Sequence, residues 1–219
     1  MNPGRIEDFE RGFAFVAEGP TERVFYFEYL KWCCLVERDS TMTRLPNKDV
    51  VIETRSGRVL VQFNVMGAVS SVPNAASWVQ SRPLRFPGIP WTVVLCYDTD
   101  GDESLSLETR AWKRFRRELA ETDVDVIDLA ADADIEDVML ADIEGVRRFL
   151  DLGSDVEPHG RKGKAKLKSL YKASCKASGP RRAYKSGEKA EGLIRSLSFE
   201  VIEERSPLHI ARLRAAVFG

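Results

Sequence analysis

The 219-residue sequence predicts an α/β fold, a parallel sheet flanked by helices and followed by a helical extension. Three observations carry that expectation. Short apolar runs alternate with helix-period stretches as far as residue 132. Trp91–Tyr97 (WTVVLCY) is almost wholly apolar, as a central parallel strand covered on both faces must be. Beyond residue 132 the periodicity is helical only, which divides the chain into a core over 1–132 and a basic helical extension, packed on it, over 133–219.

The elements follow in order. Gly12–Ala17 (GFAFVA) reads as a buried strand ending at Glu18-Gly19-Pro20. From Thr21, a candidate cap, apolar residues at Val24, Phe27, Leu30 and Cys34 have helical spacing. The aromatic run from Phe25 through Trp32 fits either the core or a homo-oligomer interface, and the core is the expected place. Val50–Glu53 and Val59–Val65 are β-branched strands with a hairpin turn at Ser56-Gly57. A helix is expected within Ala68–Gln80, and a loop from Ser81 to Pro90, which holds three prolines. Leu105–Ala120 is an amphipathic helix and Val124–Leu129 a further strand. Helical patterns then cover Ile135–Leu150, Gly163–Ala177, Glu188–Leu197 and Ser206–Val217.

Composition excludes several classes. Apolar residues at 43% and charged residues at 31% fit a soluble globular protein. The opening MNPGRIEDFERG lacks the apolar stretch of a signal peptide, and no apolar run approaches the roughly 18 residues of a membrane span. The expectation is a cytoplasmic chain without a membrane partner. Its four cysteines show no metal-ligand or disulfide spacing. A net charge of −1 points to no polyanionic partner, but the charge is unevenly spread. Asp98 to Glu144 holds 16 acids and 5 bases, whereas His159 to Lys189 holds 11 bases and one acid. That pattern suits a metal site beside an anion-binding surface.

Two strand-to-helix junctions carry acids, Glu18 after the first strand and Asp98-Thr99-Asp100-Gly101-Asp102 after the apolar one. Ligands of parallel α/β sheets bind beyond the carboxyl ends of strands, so these acids can converge despite their distance in sequence. Mg²⁺ takes a few carboxylates plus waters and leaves room for phosphate oxygens. Asp98 and Asp100 point the same way on an extended segment, and Glu22 follows Glu18 by one helical turn. Each motif alone also fits a plain polar loop or a helix cap. The EF-hand reading fails, because a strand precedes the loop and the glutamate at position twelve is missing. His159 and His209 have no partner by spacing and read as surface or packing residues.

FVAEGPTERVFYFEYL and VVLCYDTDGDE together resemble the Toprim domain, most closely its version in OLD-family nucleases and small RloB-like proteins. The resemblance covers about residues 12–140, and Glu-Gly-Pro-Thr-Glu is the form of that branch. It implies a Toprim-like sheet, with Glu18, Asp98 and Asp100 as catalytic metal ligands for Mg²⁺, which Mn²⁺ can replace. It matches the branch's second glutamate to Glu22 and places a further acid within Asp134-Ile135-Glu136-Asp137, where Glu136 is favoured and Asp137 is the alternative. Asp134 there also fits a helix cap, and Glu136 the helix dipole. OLD-like enzymes carry a catalytic lysine after the last acidic motif. Lys185 is the candidate, with Lys162, Lys164 and Lys189 as rivals.

Lys164, Lys168, Lys172 and Lys176 recur every four residues, one stripe on a helix, and Arg181 and Arg182 follow. Like charges at that spacing repel by roughly 0.2–0.5 kcal/mol per pair. The stripe fits either a solvated face or a nucleic-acid backbone.

The leading expectation is therefore a Mg²⁺-dependent Toprim nuclease cleaving DNA or RNA. The resemblance sets it in a bacterial anti-phage defence or mobile-element system, acting with a separate ABC- or AAA-type ATPase, since the chain has no Walker A motif. One rival is a non-catalytic nucleic-acid-binding or assembly subunit of such a complex. Another is a phosphate-transfer enzyme or small-nucleotide hydrolase that acts on nucleotides rather than polymers.

Overall fold

The computed structural model describes residues 9–67, 71–86, 88–99, 107–178, 183–206 and 208–219. These form an α/β fold around a six-stranded sheet. The strands are β1 (Arg11–Ala17), β2 (Thr41–Arg44), β3 (Val50–Thr54), β4 (Gly57–Val65), β5 (Trp91–Asp98) and β6 (Asp125–Ala131), in the spatial order β2-β3-β4-β1-β5-β6. β4, β1, β5 and β6 run parallel, while β3 is antiparallel to β4 and β2 to β3. The sheet is thus mixed, not purely parallel as the sequence led us to expect. The cause is the Ser56-Gly57 turn, because a connection so short joins only antiparallel neighbours. Gly57 sits at φ +131°, and a β-carbon there would lie 2.2 Å from Glu10 Cγ.

Alternation along β1 explains its apolar run. Phe13, Phe15 and Ala17 enter one core, whereas Ala14 and Val16 enter the other on the opposite face. The first core is closed by α1 (Pro20–Val36) and by helices beyond residue 132, with Leu167, Leu193, Phe199, Ile202 and Leu213 in the same cluster as Phe15. The second core is closed by α2 (Val72–Arg85) and α3 (Leu107–Ala120), where Trp112 is fully buried against Tyr97 at 4.6 Å between ring centroids. Phe25, Tyr29 and Trp32 surround Phe199 at 5.5–6.0 Å, so the aromatic face of α1 is core. No helix among the described residues is long and apolar enough to cross a membrane.

Several boundaries differ from the sequence expectation. α2 continues through Pro83 into the predicted loop, because buried Arg82 anchors its end: Nε donates to the Trp78 carbonyl and Nη1 to Gln62 Oε1, both at 3.0 Å. Thr21 does not cap α1. The N-cap is Gly19, and Thr21 Oγ1 instead accepts the Gly187 amide at 2.7 Å. The short polar strand β2 and the helix α8 (Phe199–Arg205) carried no periodic signal long enough to read.

The predicted helix over Ile135–Leu150 is broken into α4 (Ile135–Met139), a 3-10 turn at Leu140–Asp142 and α5 (Ile143–Leu150). Buried Asp142 makes the break. Its Oδ1 accepts the Gly145 amide at 2.9 Å to cap α5, and its Oδ2 accepts the Ser198 amide at 2.7 Å. The remaining helices are α6 (Gly163–Ser178), α7 (Glu191–Ile194) and α9 (Ala211–Phe218). Asp142→Ala strands two amides in the interior and is expected to lower stability by about 2–3 kcal/mol, read as a drop in the urea midpoint at unchanged slope.

Candidate functional site

Four carboxylates meet beyond the carboxyl ends of β1 and β5. The two strands pair directly in parallel, Ala17 opposite Cys96, so the residues that follow them emerge side by side. The Glu18 amide donates to the Cys96 carbonyl and the Gly67 amide to the Glu18 carbonyl, both at 2.9 Å, which fixes Glu18 between the ends of β5 and β4. Its Oε2 accepts the Asp98 amide at 3.2 Å. Asp98 ends β5, and its Oδ1 accepts the Ile135 amide at 3.0 Å, tying the strand to the start of α4. Glu22, on the first turn of α1, and Glu136, on the first turn of α4, are both buried.

Glu22 Oε2 is buried without a hydrogen-bond partner. Gly19 makes room for it, since a β-carbon at that position would lie 2.8 Å from this oxygen. Glu136 is held by the buried Tyr184 hydroxyl, which donates to its Oε1 at 2.8 Å. The crowding is visible in the acidities. Burial pushes Glu22 up to about 7, with repulsion from Glu18 and Glu136 adding and backbone amides partly offsetting. Burial pushes Asp98 up to about 9, reinforced by Glu22, Glu18, Glu136 and Asp134. Glu136 is also raised, chiefly by burial, against the opposing effects of Tyr184 and Lys164.

Asp134 and Asp137 do other work. Asp134 caps α4 by accepting the Asp137 amide at 2.9 Å, and its second oxygen accepts the Lys164 amide at 3.0 Å. Asp137 accepts the Gly163 amide at 2.8 Å and pairs with Lys166 at 2.6 Å. Together they dock the start of α6 onto α4. A β-carbon at Gly163 would lie 2.1 Å from the Asp137 amide nitrogen, so the approach requires glycine. Of the two acids weighed in the sequence, Glu136 lines the site and Asp137 serves this joint.

That docking brings bases to the acids. One cavity of about 770 Å³ is lined by Glu18, Glu22, Asp98, Asp134 and Glu136 and also by Arg161, Lys162, Lys164 and Lys168. The Lys164 charge is close enough to stabilise the Glu136 carboxylate. Lys185 is exposed and does not line the cavity, although its neighbours Tyr184 and Ser186 contact the site. Lys172 is exposed on α6 outside the cavity, while Asp100, Arg181, Arg182 and the Lys176 side chain lie outside the described residues. Arg161 and Tyr184 escaped the sequence reading as site residues. The glycines Gly160 and Gly163 around Arg161-Lys162 were the available sign of a close approach.

The acids suit a hard divalent cation. Their donors are all carboxylate oxygens, one of them is buried without a hydrogen-bond partner, and burial with mutual repulsion raises Glu22 to about 7 and Asp98 to about 9, a crowding that a cation would relieve. Among the described residues, no group of three or more acids, histidines or cysteines is placed to hold a metal ion by itself. Mg²⁺ keeps several waters and needs only one or two protein carboxylates.

No family model and no curated protein matches the chain. Similar solved structures include uridine phosphorylase from Schistosoma mansoni, in apo form at 14% identity and with thymine at 15%. The apo pair covers 96% of this chain and 89% of that one, with a TM-score of 0.28; the thymine pair covers 97% and 89%, with 0.29. A futalosine hydrolase mutant from Helicobacter pylori strain 26695 is 8% identical over 96% of this chain and 99% of its own, with a TM-score of 0.28. The expectation of a Toprim nuclease cleaving DNA or RNA is corrected on this finding: these structures are a uridine phosphorylase and a futalosine hydrolase. At such TM-scores the likeness carries no activity over to this chain.

The raised acids fix a sign for pH. Asp98 binds its proton more tightly folded, at about 9, than in the unfolded chain, at about 3.8, so the folded state holds more protons between these values. The stabilisation is complete at the acid end and is lost as pH rises toward 9. The cation-free protein is expected to lose melting temperature from pH 6 to pH 9. Asp98→Asn should flatten that decline, and a melting temperature independent of pH over this range in the unsubstituted protein would contradict the assignment.

Proposed function

We propose that the chain is a divalent-cation-dependent phosphohydrolase acting on a small phosphate ester. One observation carries the reading: crowded, largely buried carboxylates at the ends of β1 and β5 share a single cavity with the bases that lead into α6. The cavity lies within the 300–1,000 Å³ or so typical of small-molecule sites. The resemblance of residues 12–140 to the Toprim core supports Glu18 and Asp98 as cation ligands, with Asp100 outside the described residues; the polymer cleavage it also implied is set aside.

Glu18 and Asp98 would hold Mg²⁺ or Mn²⁺, and Glu22 supplies an oxygen already stripped of other partners. Such a cation lowers the pKa of a bound water and polarises a phosphoryl oxygen. Lys164, which lines the cavity, neutralises charge on the phosphate. Glu136 is held in orientation by the Tyr184 hydroxyl at 2.8 Å.

Purified protein incubated with p-nitrophenyl phosphate, AMP, ADP and ATP is expected to release phosphate in Mg²⁺ or Mn²⁺ and not in EDTA. Asp98→Asn should lower the rate by at least about 100-fold. Mg²⁺ alone should raise the melting temperature, more at pH 8 than at pH 6, because it competes with the protons on Asp98 and Glu22. No phosphate release with either metal, together with no melting shift, would overturn the reading.

A further inference from the structure

The basic side of the cavity holds more positive charge than one phosphate group uses. We propose that the site takes a ligand with two or more linked phosphates, the polyphosphate arm of a nucleoside di- or triphosphate. The inference rests on the phosphate-binding reading above and names its substrate class. Lys164 is the base whose charge reaches the acids, through Glu136, so the phosphate next to those acids is the one it neutralises. Arg161, Lys162 and Lys168 line the same cavity. Lys168 stands one helical turn after Lys164, about 6 Å along the axis, so a second phosphate meets a second ammonium group.

The start of α6 does not itself compete for the anion. The amides of Gly163 and Lys164 are already taken by Asp137 and Asp134. The phosphates are therefore read by side chains, one charge for each added group, and not by a helix terminus. A cavity of about 770 Å³ has room for a whole nucleotide.

Isothermal titration of the full chain with AMP, ADP and the β,γ-imido analogue of ATP, each in EDTA and in Mg²⁺, tests this. Affinity is expected to rise about tenfold with each added phosphate, the size of one charge-assisted contact. Lys168→Ala should reduce the ratio of ATP-analogue affinity to AMP affinity about tenfold, whereas Lys172→Ala, outside the cavity, should leave the ratio unchanged. The EDTA arm reads the basic side alone. A rise with phosphate number there upholds the inference even if no cation binds, and a cation-induced melting shift without that rise sinks the inference while sparing the cation site. Equal affinity for the three nucleotides, an equal loss for all three in Lys168→Ala, or displacement of the ATP analogue by a short oligonucleotide at lower concentration would each overturn it.

Discussion

The hydrogen bond from the Ile135 amide to Asp98 is the joint on which the site depends. It holds the end of β5 against the start of α4, and three consequences follow from that single contact. Glu136 is turned into the cavity, Asp134 is placed to cap α4, and Asp137 is placed to receive α6. The carboxylate that makes the joint is also the most crowded acid of the group. Burial, then repulsion from Glu22, Glu18, Glu136 and Asp134, pushes its pKa well above the usual carboxylate range.

The parts of the fold with strong local signals were legible in the sequence. β1, β5 and the β3–β4 hairpin were marked by apolar runs and by Ser56-Gly57, and α6 by its period. What failed was decided by tertiary contacts. α2 runs past its expected end because Arg82 reaches a strand, and the helix over Ile135–Leu150 breaks because Asp142 has a partner 56 residues away at Ser198. The same division holds for the site. Glu18, Glu22 and Asp98 stood out because they follow strands. Glu136 was separated from Asp137 only by what each touches, and no spacing rule could have chosen Lys164 over Lys185, since both lie in one basic stretch and only docking of α6 distinguishes them.

Two glycines illustrate how the site makes space without a cavity-forming side chain. Gly19 leaves the gap that Glu22 Oε2 occupies, and Gly163 permits backbone-to-backbone contact between α4 and α6. Neither relies on left-handed backbone geometry. Their role is steric, and a methyl group at either would push a charged element of the site outward.

The direct pairing of β1 with β5 separates the geometry of the acids from the length of chain between them. Glu18 and Asp98 are neighbours because Gly12 lies opposite Trp91 and the register holds to Cys96, and the edge hairpin of β2 and β3 touches neither acid. The intervening stretch behaves as an excursion that leaves the central strands and returns to them in register. Insertions or deletions at the tips of that excursion can accumulate without disturbing the acids, so the outer edge of the sheet is free to diverge while the site stays constant.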